Sequence, residues 1–460
     1  MSSTQTWVDR ELSSLDLNDK RRDRRIRHMV ARMADAPGGS ILQMFQGHAE
    51  AAAAYRALSS EAIDPEAILA AMQDACLERV KEEKLILALQ DTTTFNFTSH
   101  PATSGTGPLA DAYLTGFLFH DVLAVSGDGV PLGLLHWEQW ARDPEAEGTR
   151  HQRSQRPFEE KESFRWLASQ RAVQELAPQD TTVVTVADRE CDIYEVFAES
   201  RPDNCQLLIR SCYDRCLSDD ERRLRAALEA EAVSGEFTVA LRRHPNRKQR
   251  EANMEVRFRT VSLNPPHYRV EGTEFEPVTV NAILVTEVSP PEGETPVSWT
   301  LLTTLPVSSL DEARSCVRFY CLRWLIERYH YVLKSGCKIE ESQLRDANRL
   351  MLLLALYCVV AWRLLWITYS AREDGDQPCT IAFTDLEWRV AYRARHGDRP
   401  LPDKVPTLRE LVREISGLGG FLGRKSDGEP GAKVLWRGLM RLQDIVLGVR
   451  IASDQDVCKV

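Results

Sequence analysis

No stretch of this 460-residue chain is long and apolar enough to cross a bilayer comfortably. The longest apolar run, Leu350 to Trp362, is broken by Arg363 and reads as a buried core helix. No basic n-region followed by an apolar h-region opens the chain, so a reducing cytosol is the expected home and no membrane partner is expected. The 11 cysteines are odd in number and form no paired ladder. Cys205, Cys212 and Cys216 come without a CxxC pair or spaced histidines, and do not read as a zinc site. A glycine-rich stretch, Gly417 to Gly428, holds basic residues but neither GKS nor GKT, so no nucleotide cofactor is expected. Positive charge is also short: the net charge is −10, which disfavours a general nucleic-acid coat protein.

That average hides a local excess. Lys20, Arg21, Arg22, Arg24, Arg25, Arg27 and Arg32 crowd one early segment, opposed there only by Asp23. Such a cluster is either a solvated helix face or an electrostatic footprint for phosphates. Asp16 or Asn18 can cap a helix carrying it to about Ala34. Pro37-Gly38-Gly39 then breaks the chain, and Ser40 with Gln43 forms a capping box for the next helix. Ala49 to Leu58 makes a third helix. Residues 1–70 thus read as a small helical domain, a pattern compatible with DNA binding but common elsewhere.

From about 71 to 230, strands and helices alternate. Leu85 to Gln90 is a short apolar run ended by Asp91, and Thr182 to Ala187 is another, followed by Asp188. Tyr113 to Ala124 and Val130 to Trp137 read as a hairpin turned at Ser126 to Gly129. An acid at the carboxyl end of a buried strand points into the crevice where open α/β sheets place their sites. Taken singly, each aspartate reads as a turn or N-cap residue; Asp188 could cap a helix beginning near Ile193, though Asp192 is better placed for that. Between about 235 and 305, alternating segments separated by prolines read as a β insertion closed by Trp299.

The stretch Tyr320 to Lys334 has helix length. At about 100° per residue, Tyr320, Arg323, Glu327 and Lys334 fall within roughly 60° of one another. Leu322, Leu325, Ile326 and Leu333 lie opposite and face a core. A carboxylate flanked by two cations and a phenol is either an (i, i+4) surface pair or a metal ligand beside phosphate-holding groups. Two strand-end acids plus Glu327 would make a three-carboxylate pocket for a pair of Mg²⁺ or Mn²⁺ ions.

With Asp91-Thr-Thr, Asp188-Arg-Glu-Cys-Asp-Ile and the Y-x2-R-x3-E-x6-K spacing in view, the chain resembles a DDE transposase of the Tn-five type, in the IS-four group of insertion-sequence transposases. Trp7 to Leu58, Trp137 to Pro144 and Pro406 to Leu442 extend the likeness to nearly the whole chain. The resemblance implies an α/β fold with a ribonuclease-H-like catalytic core, carrying a β-strand insertion at 235–305. A helical amino-terminal DNA-end-binding domain (1–70), a catalytic domain (71–372) and a helical carboxy-terminal dimerisation domain (373–460) would follow in order. It implies Asp91, Asp188 and Glu327 as catalytic metal ligands for Mg²⁺, with Mn²⁺ a substitute. Tyr320, Arg323, Lys334 and Arg210 would face DNA, joined by Lys20, Arg21, Arg24, Arg25 and Arg27, while Trp299 would stack on a base flipped out beside the cut. The partners implied are double-stranded DNA, as terminal inverted repeats and target, and a second copy in a synaptic complex. The implied activity is cut-and-paste transposition through a hairpin intermediate. Two other readings of the same residues are a ribonuclease-H-like nuclease without strand transfer, and an inactive DNA-binding descendant of a transposase. In the segment after Lys334, Ser335 to Glu340, the glycine is kept but the other side chains are this chain's own.

Overall fold

The computed structural model describes residues 3–45, 47–111, 113–144, 156–241, 249–266 and 275–453. Five helices come first: α1 (Ser3–Glu11), α2 (Lys20–Asp35), α3 (Ile41–Met44), α4 (His48–Leu58) and α5 (Pro65–Val80). The cap of α2 is Asp19, not Asp16 or Asn18. Its carboxylate accepts the Arg21 amide at 2.8 Å, whereas Asn18 is turned to φ +57° in the bend just before. Asp16 instead accepts the Asn18 amide at 2.9 Å, which stabilises that bend. The capping box of Ser40 with Gln43 forms as expected. Ile26, Met29, Val30 and Met33 recur on one side of α2 and are buried, as a helical period requires. Asp64 caps α5, with Pro65 in the first turn where its missing N–H costs nothing. This helix runs across residue 70 and packs against α1 and the sheet.

The sheet begins with β1 (Leu85–Asn96), β2 (Gly107–Pro108), β3 (Thr115–Ser126) and β4 (Pro131–Trp140). The turn from β3 to β4 closes through Gly129 N–H to the Ser126 carbonyl at 2.9 Å, and Gly129 takes φ +102°, which favours glycine. After α6 (Phe164–Leu176) come β5 (Thr182–Ala187), α7 (Tyr194–Ala198), β6 (Cys205–Arg210) and α8 (Leu224–Glu229). β3 lies antiparallel to both β4 and β1, while β1, β5 and β6 run parallel. The order β4-β3-β1-β5-β6 is that of a ribonuclease-H-like core.

The expected insertion is present as β7 (Gly235–Leu241), β8 (Arg250–Leu263) and β9 (Val278–Glu287), followed by β10 (Ser298–Thr303). It does not stand apart from the core. β10 pairs antiparallel with β6, and β9, β8 and β7 add on in turn, giving a 10-stranded sheet. Extending the edge this way pairs backbone groups that β6 would otherwise leave open.

Helices α9 (Leu310–Leu322) and α10 (Trp324–Tyr331) follow, then α11 (Ala347–Glu373). Arg363 does not end the apolar helix. Half-buried, it stacks 4.4 Å from the Trp7 ring centre and donates to the Ala382 carbonyl at 2.6 Å, and desolvation pushes its pKa down to about 9. α11 therefore continues to 27 residues, long and apolar enough to cross a membrane by composition, but packed inside the protein as a core helix. The chain closes with α12 (Asp385–His396), α13 (Leu408–Leu418) and α14 (Ala432–Ser453), which pack on one another and on α11. The glycine-rich stretch joins α13 to α14.

Candidate active site

Asp91 does not end its strand. β1 continues to Asn96, so the carboxylate projects from mid-strand, directly opposite Asp121 of β3. Directly opposed residues share one face of a sheet, which puts both acids under α10. The Asp91 Oδ1 accepts the Thr92 amide at 3.0 Å.

The stretch Tyr320 to Lys334 is not one regular helix. At Arg323 the backbone tightens through Arg323 N–H to Tyr320 and Ile326 N–H to Arg323 bonds, and from Val332 to Gly336 it loosens into a π turn. The shared face nevertheless survives. Arg323 forms a hydrogen-bonded ion pair with Glu327, and its other terminal nitrogen lies 3.8 Å from Asp91 Oδ2. Leu325, Ile326 and Leu333 are fully buried on the opposite side. Tyr320 meets Trp299 of β10 edge to face at 5.8 Å. Lys334 lies in the π turn, its ammonium 5.7 Å from the Phe95 ring centre. Burial lowers the Lys334 pKa against the opposing pull of Glu340 and Asp91.

Asp188 follows β5 and caps a short 3₁₀ turn, accepting the Glu190 amide at 2.8 Å. Arg165 of α6 braces that turn. It donates to Glu190 at 3.1 Å and to the Thr92 hydroxyl at 2.9 Å, tying the Asp188 turn to β1. Asp192 is not the cap of α7. It is buried and accepts the Ser211 hydroxyl at 2.9 Å, the Cys212 amide at 2.8 Å and the Tyr213 amide at 3.1 Å, with Arg215 paired to it. That hub fixes the loop leaving β6, where Arg210 is the last strand residue, in register with Leu301.

Two residues at the site were not legible as such. His330 Nε2 is 2.6 Å from Asp121 Oδ1, and its Nδ1 is 3.8 Å from the same Asp91 Oδ2 that faces Arg323. Burial opposes protonation of His330, but Asp121 and Asp91 outweigh it and raise the pKa. The available signals were a lone acid in the apolar run Gly116 to Val125, and a histidine three residues after Glu327. Of the amino-terminal cations, Lys20 and Arg24 are exposed and Arg25 is half-buried; Arg21 is exposed and pairs with Asp19 at 3.3 Å. Arg27 is spent within the protein, donating to the Leu12 carbonyl at 2.8 Å.

Burial pushes the Asp91 pKa up to about 6, with Asp188 acting in the same direction and His330 and Arg323 opposing. Burial opposes the charge on Arg323, but Asp91, Glu327, Tyr320 and Asp188 outweigh it and hold it cationic. All three acids therefore act on one guanidinium. Among the described residues, no three His, Cys, Asp or Glu side chains stand close enough together to enclose a metal. The donor chemistry fits one all the same: Asp91, Asp188 and Glu327 offer hard carboxylate oxygens, which suit a divalent cation.

A ribonuclease-H-like sheet bearing two aspartates, with a glutamate on the helix above it, defines a metal-dependent enzyme of DNA cleavage and strand transfer. Comparison with known families agrees domain by domain. Residues 4–63 match the family model described as Transposase DNA-binding, 164–363 match Transposase DDE domain, and 359–457 match Transposase Tn5 dimerisation domain. The chain belongs to the Tn5-type DDE transposases. DNA binding and dimer formation follow from the same matches. Asp188 and Glu327 lie inside the DDE match, and Asp91 precedes it.

Proposed function

We propose that this transposase moves its element by cut and paste, with Asp91, Asp188 and Glu327 as its catalytic carboxylates. The observation that carries this is the meeting of β1 and α10 at the Arg323 guanidinium, with Asp188 at the end of β5 acting electrostatically on both Asp91 and Arg323. The three carboxylates would hold Mg²⁺, with Mn²⁺ able to replace it. When bound, the metal supplies activation of the attacking oxygen and stabilisation of the leaving one.

Tyr320, Arg323 and Lys334 hold phosphates neighbouring the scissile position, the two cations by charge-assisted hydrogen bonds to backbone oxygens. Water attacks phosphorus at the element's end and releases a 3′ hydroxyl. That hydroxyl attacks the opposite strand to form a hairpin and release the flanking DNA. A second water opens the hairpin, and the freed 3′ hydroxyl displaces a 3′ oxygen in target DNA. Each step exchanges one oxygen for another at phosphorus, so one pocket serves all four. Trp299, half-buried and braced edge to face by Tyr320, supplies a planar surface for an unstacked base.

The helical unit α1 to α4 recognises the terminal inverted repeats through Lys20, Arg21, Arg24 and Arg25, and ends before α5. The sheet with α9 to α11 forms the catalytic unit, and α12 to α14 support pairing of two copies in the synaptic complex. The enzyme works in the cytoplasm, on DNA. The test is Mg²⁺-dependent cleavage of DNA carrying the inverted repeats that flank this gene, by native protein and Glu327→Ala. A cut at the repeat boundary with hairpin product, absent in the variant, is expected. Cleavage that survives Glu327→Ala would overturn the assignment.

A further inference from the structure

Beside the catalytic face lies a second cationic feature that none of these steps uses. Trp324, Arg328, Tyr369, Arg372, Gly431 and Ala432 line a cavity of about 210 Å³ between α10, α11 and the start of α14. Trp324 and Arg328 are four residues apart on α10, as are Arg323 and Glu327, so the two pairs form neighbouring stripes about 100° apart.

Both arginines are held in place by aromatic rings. Arg328 lies 4.5 Å from the Tyr331 ring centre and Arg372 lies 4.8 Å from that of Tyr369, each tyrosine three residues away on the same helix. Arg372 also donates to the Pro430 carbonyl at 2.8 Å, while its buried Nε has no hydrogen-bond partner. Among the described residues, neither arginine has a carboxylate within 4.0 Å. Several other semi-buried arginines do have one: Arg165 pairs with Glu190, Arg215 with Asp192 and Arg323 with Glu327, whereas Arg27 and Arg363 donate to backbone carbonyls instead. Two oriented guanidiniums without a counter-ion, one with an unused buried donor, are suited to a tetrahedral oxyanion, which accepts several N–H bonds at once.

We propose that Arg328 and Arg372 form an anion pocket that receives a backbone phosphate of the DNA lying across α10, outside the scissile position. This rests on Asp91, Asp188 and Glu327 being the cleavage site, because that placement brings the duplex over α10. A phosphodiester is favoured over an acidic protein surface because the pocket shares its helix with the residues that must face DNA.

The test uses the full-length protein and duplex DNA carrying the flanking inverted repeats, with Arg328→Gln, Arg372→Gln and the double variant. Binding is measured across a salt series. Each lost phosphate contact lowers the slope of log affinity against log salt by about 0.9. The expected result is that drop in both single variants and little further drop in the double, because both arginines serve one phosphate. Ethylation of a single phosphate should interfere with binding of native protein and not of the double variant. An unchanged slope overturns the proposal, as does an unchanged slope with weakened self-association, which would assign the pocket to an acidic surface of a second copy. If Arg372→Gln fails to fold for want of its Pro430 contact, Arg328→Gln decides alone, since it gives up no hydrogen bond. Cleavage by native protein against Glu327→Ala reports on the catalytic assignment separately, so a failure of that reading is seen without touching the salt slope.

Discussion

Arg323 bridges Glu327, one helical turn along its own helix, and Asp91, a residue of the first strand of the sheet, through the two ends of one guanidinium. In the DNA-free protein the guanidinium therefore supplies the positive charge that the carboxylates require. Phosphate and carboxylate compete for the same planar donors. Engaging DNA should draw Arg323 away and leave the acids to the metal.

Arg323→Ala is accordingly expected to tighten Mn²⁺ binding to the DNA-free protein by about tenfold, the scale of one partly buried ion pair. The same change should weaken binding to end DNA. Titration followed by electron paramagnetic resonance measures the first effect. Equal or weaker Mn²⁺ affinity in the variant would show that the arginine does not compete.

The pH dependence follows from Asp91, whose carboxyl is raised to about 6 chiefly by burial. A raised carboxyl pKa means the proton is held longer as pH rises, and a protonated carboxyl does not ligate. Mn²⁺ affinity should hold above that value and fall by about tenfold per unit below it. Asp91→Asn should remove both the affinity and its pH dependence. A profile flat from pH 7.5 to pH 5 would contradict the assignment.

Asp121 and His330 test the buried support behind Asp91. Asp121 is fully buried and accepts from His330 at 2.6 Å. Asp121→Ala leaves a buried imidazole without its partner and should cost roughly 3–5 kcal/mol of folding stability. Asp121→Asn keeps an oxygen acceptor and should cost clearly less. Chemical denaturation separates the two, and a loss under about 1 kcal/mol for the alanine variant would mean the pair carries little stability.

Trp299→Ala should impair hairpin formation more than first-strand nicking, because a flipped base needs a stacking surface only in the second step. Gel assays resolve nicked and hairpin products directly. Equal loss at both steps would assign Trp299 to packing against Tyr320 alone.

Much of the site was legible because its spacing is local. The face shared by Tyr320, Arg323 and Glu327 depends on helical period, and it persists through the tightened turn at Arg323 and the π turn at Val332. Asp188 was legible as the acid after a short apolar run, and β5 does end at Ala187. The same rule misplaced the end of β1. Asp91 read as the end of its strand, yet the strand runs on because its partner β3 continues the pairing to Gly116. Asp192 looked like a helix cap for the same local reason, until the loop after β6 supplied four donors from 19 to 23 residues away.

By itself the sequence determined which chemical groups are available and in what local order: three carboxylates, the cations spaced around Glu327, a helical basic head and an apolar run that reads as a core helix. Helix and strand periods are properties of neighbouring residues, so these could be read directly. Tertiary structure alone decided that Arg323 sits between Asp91 and Glu327, that His330 is wedged between Asp121 and Asp91, and that the β insertion extends the sheet. Those relationships join residues far apart in the chain, and only long-range packing and strand register bring them into contact.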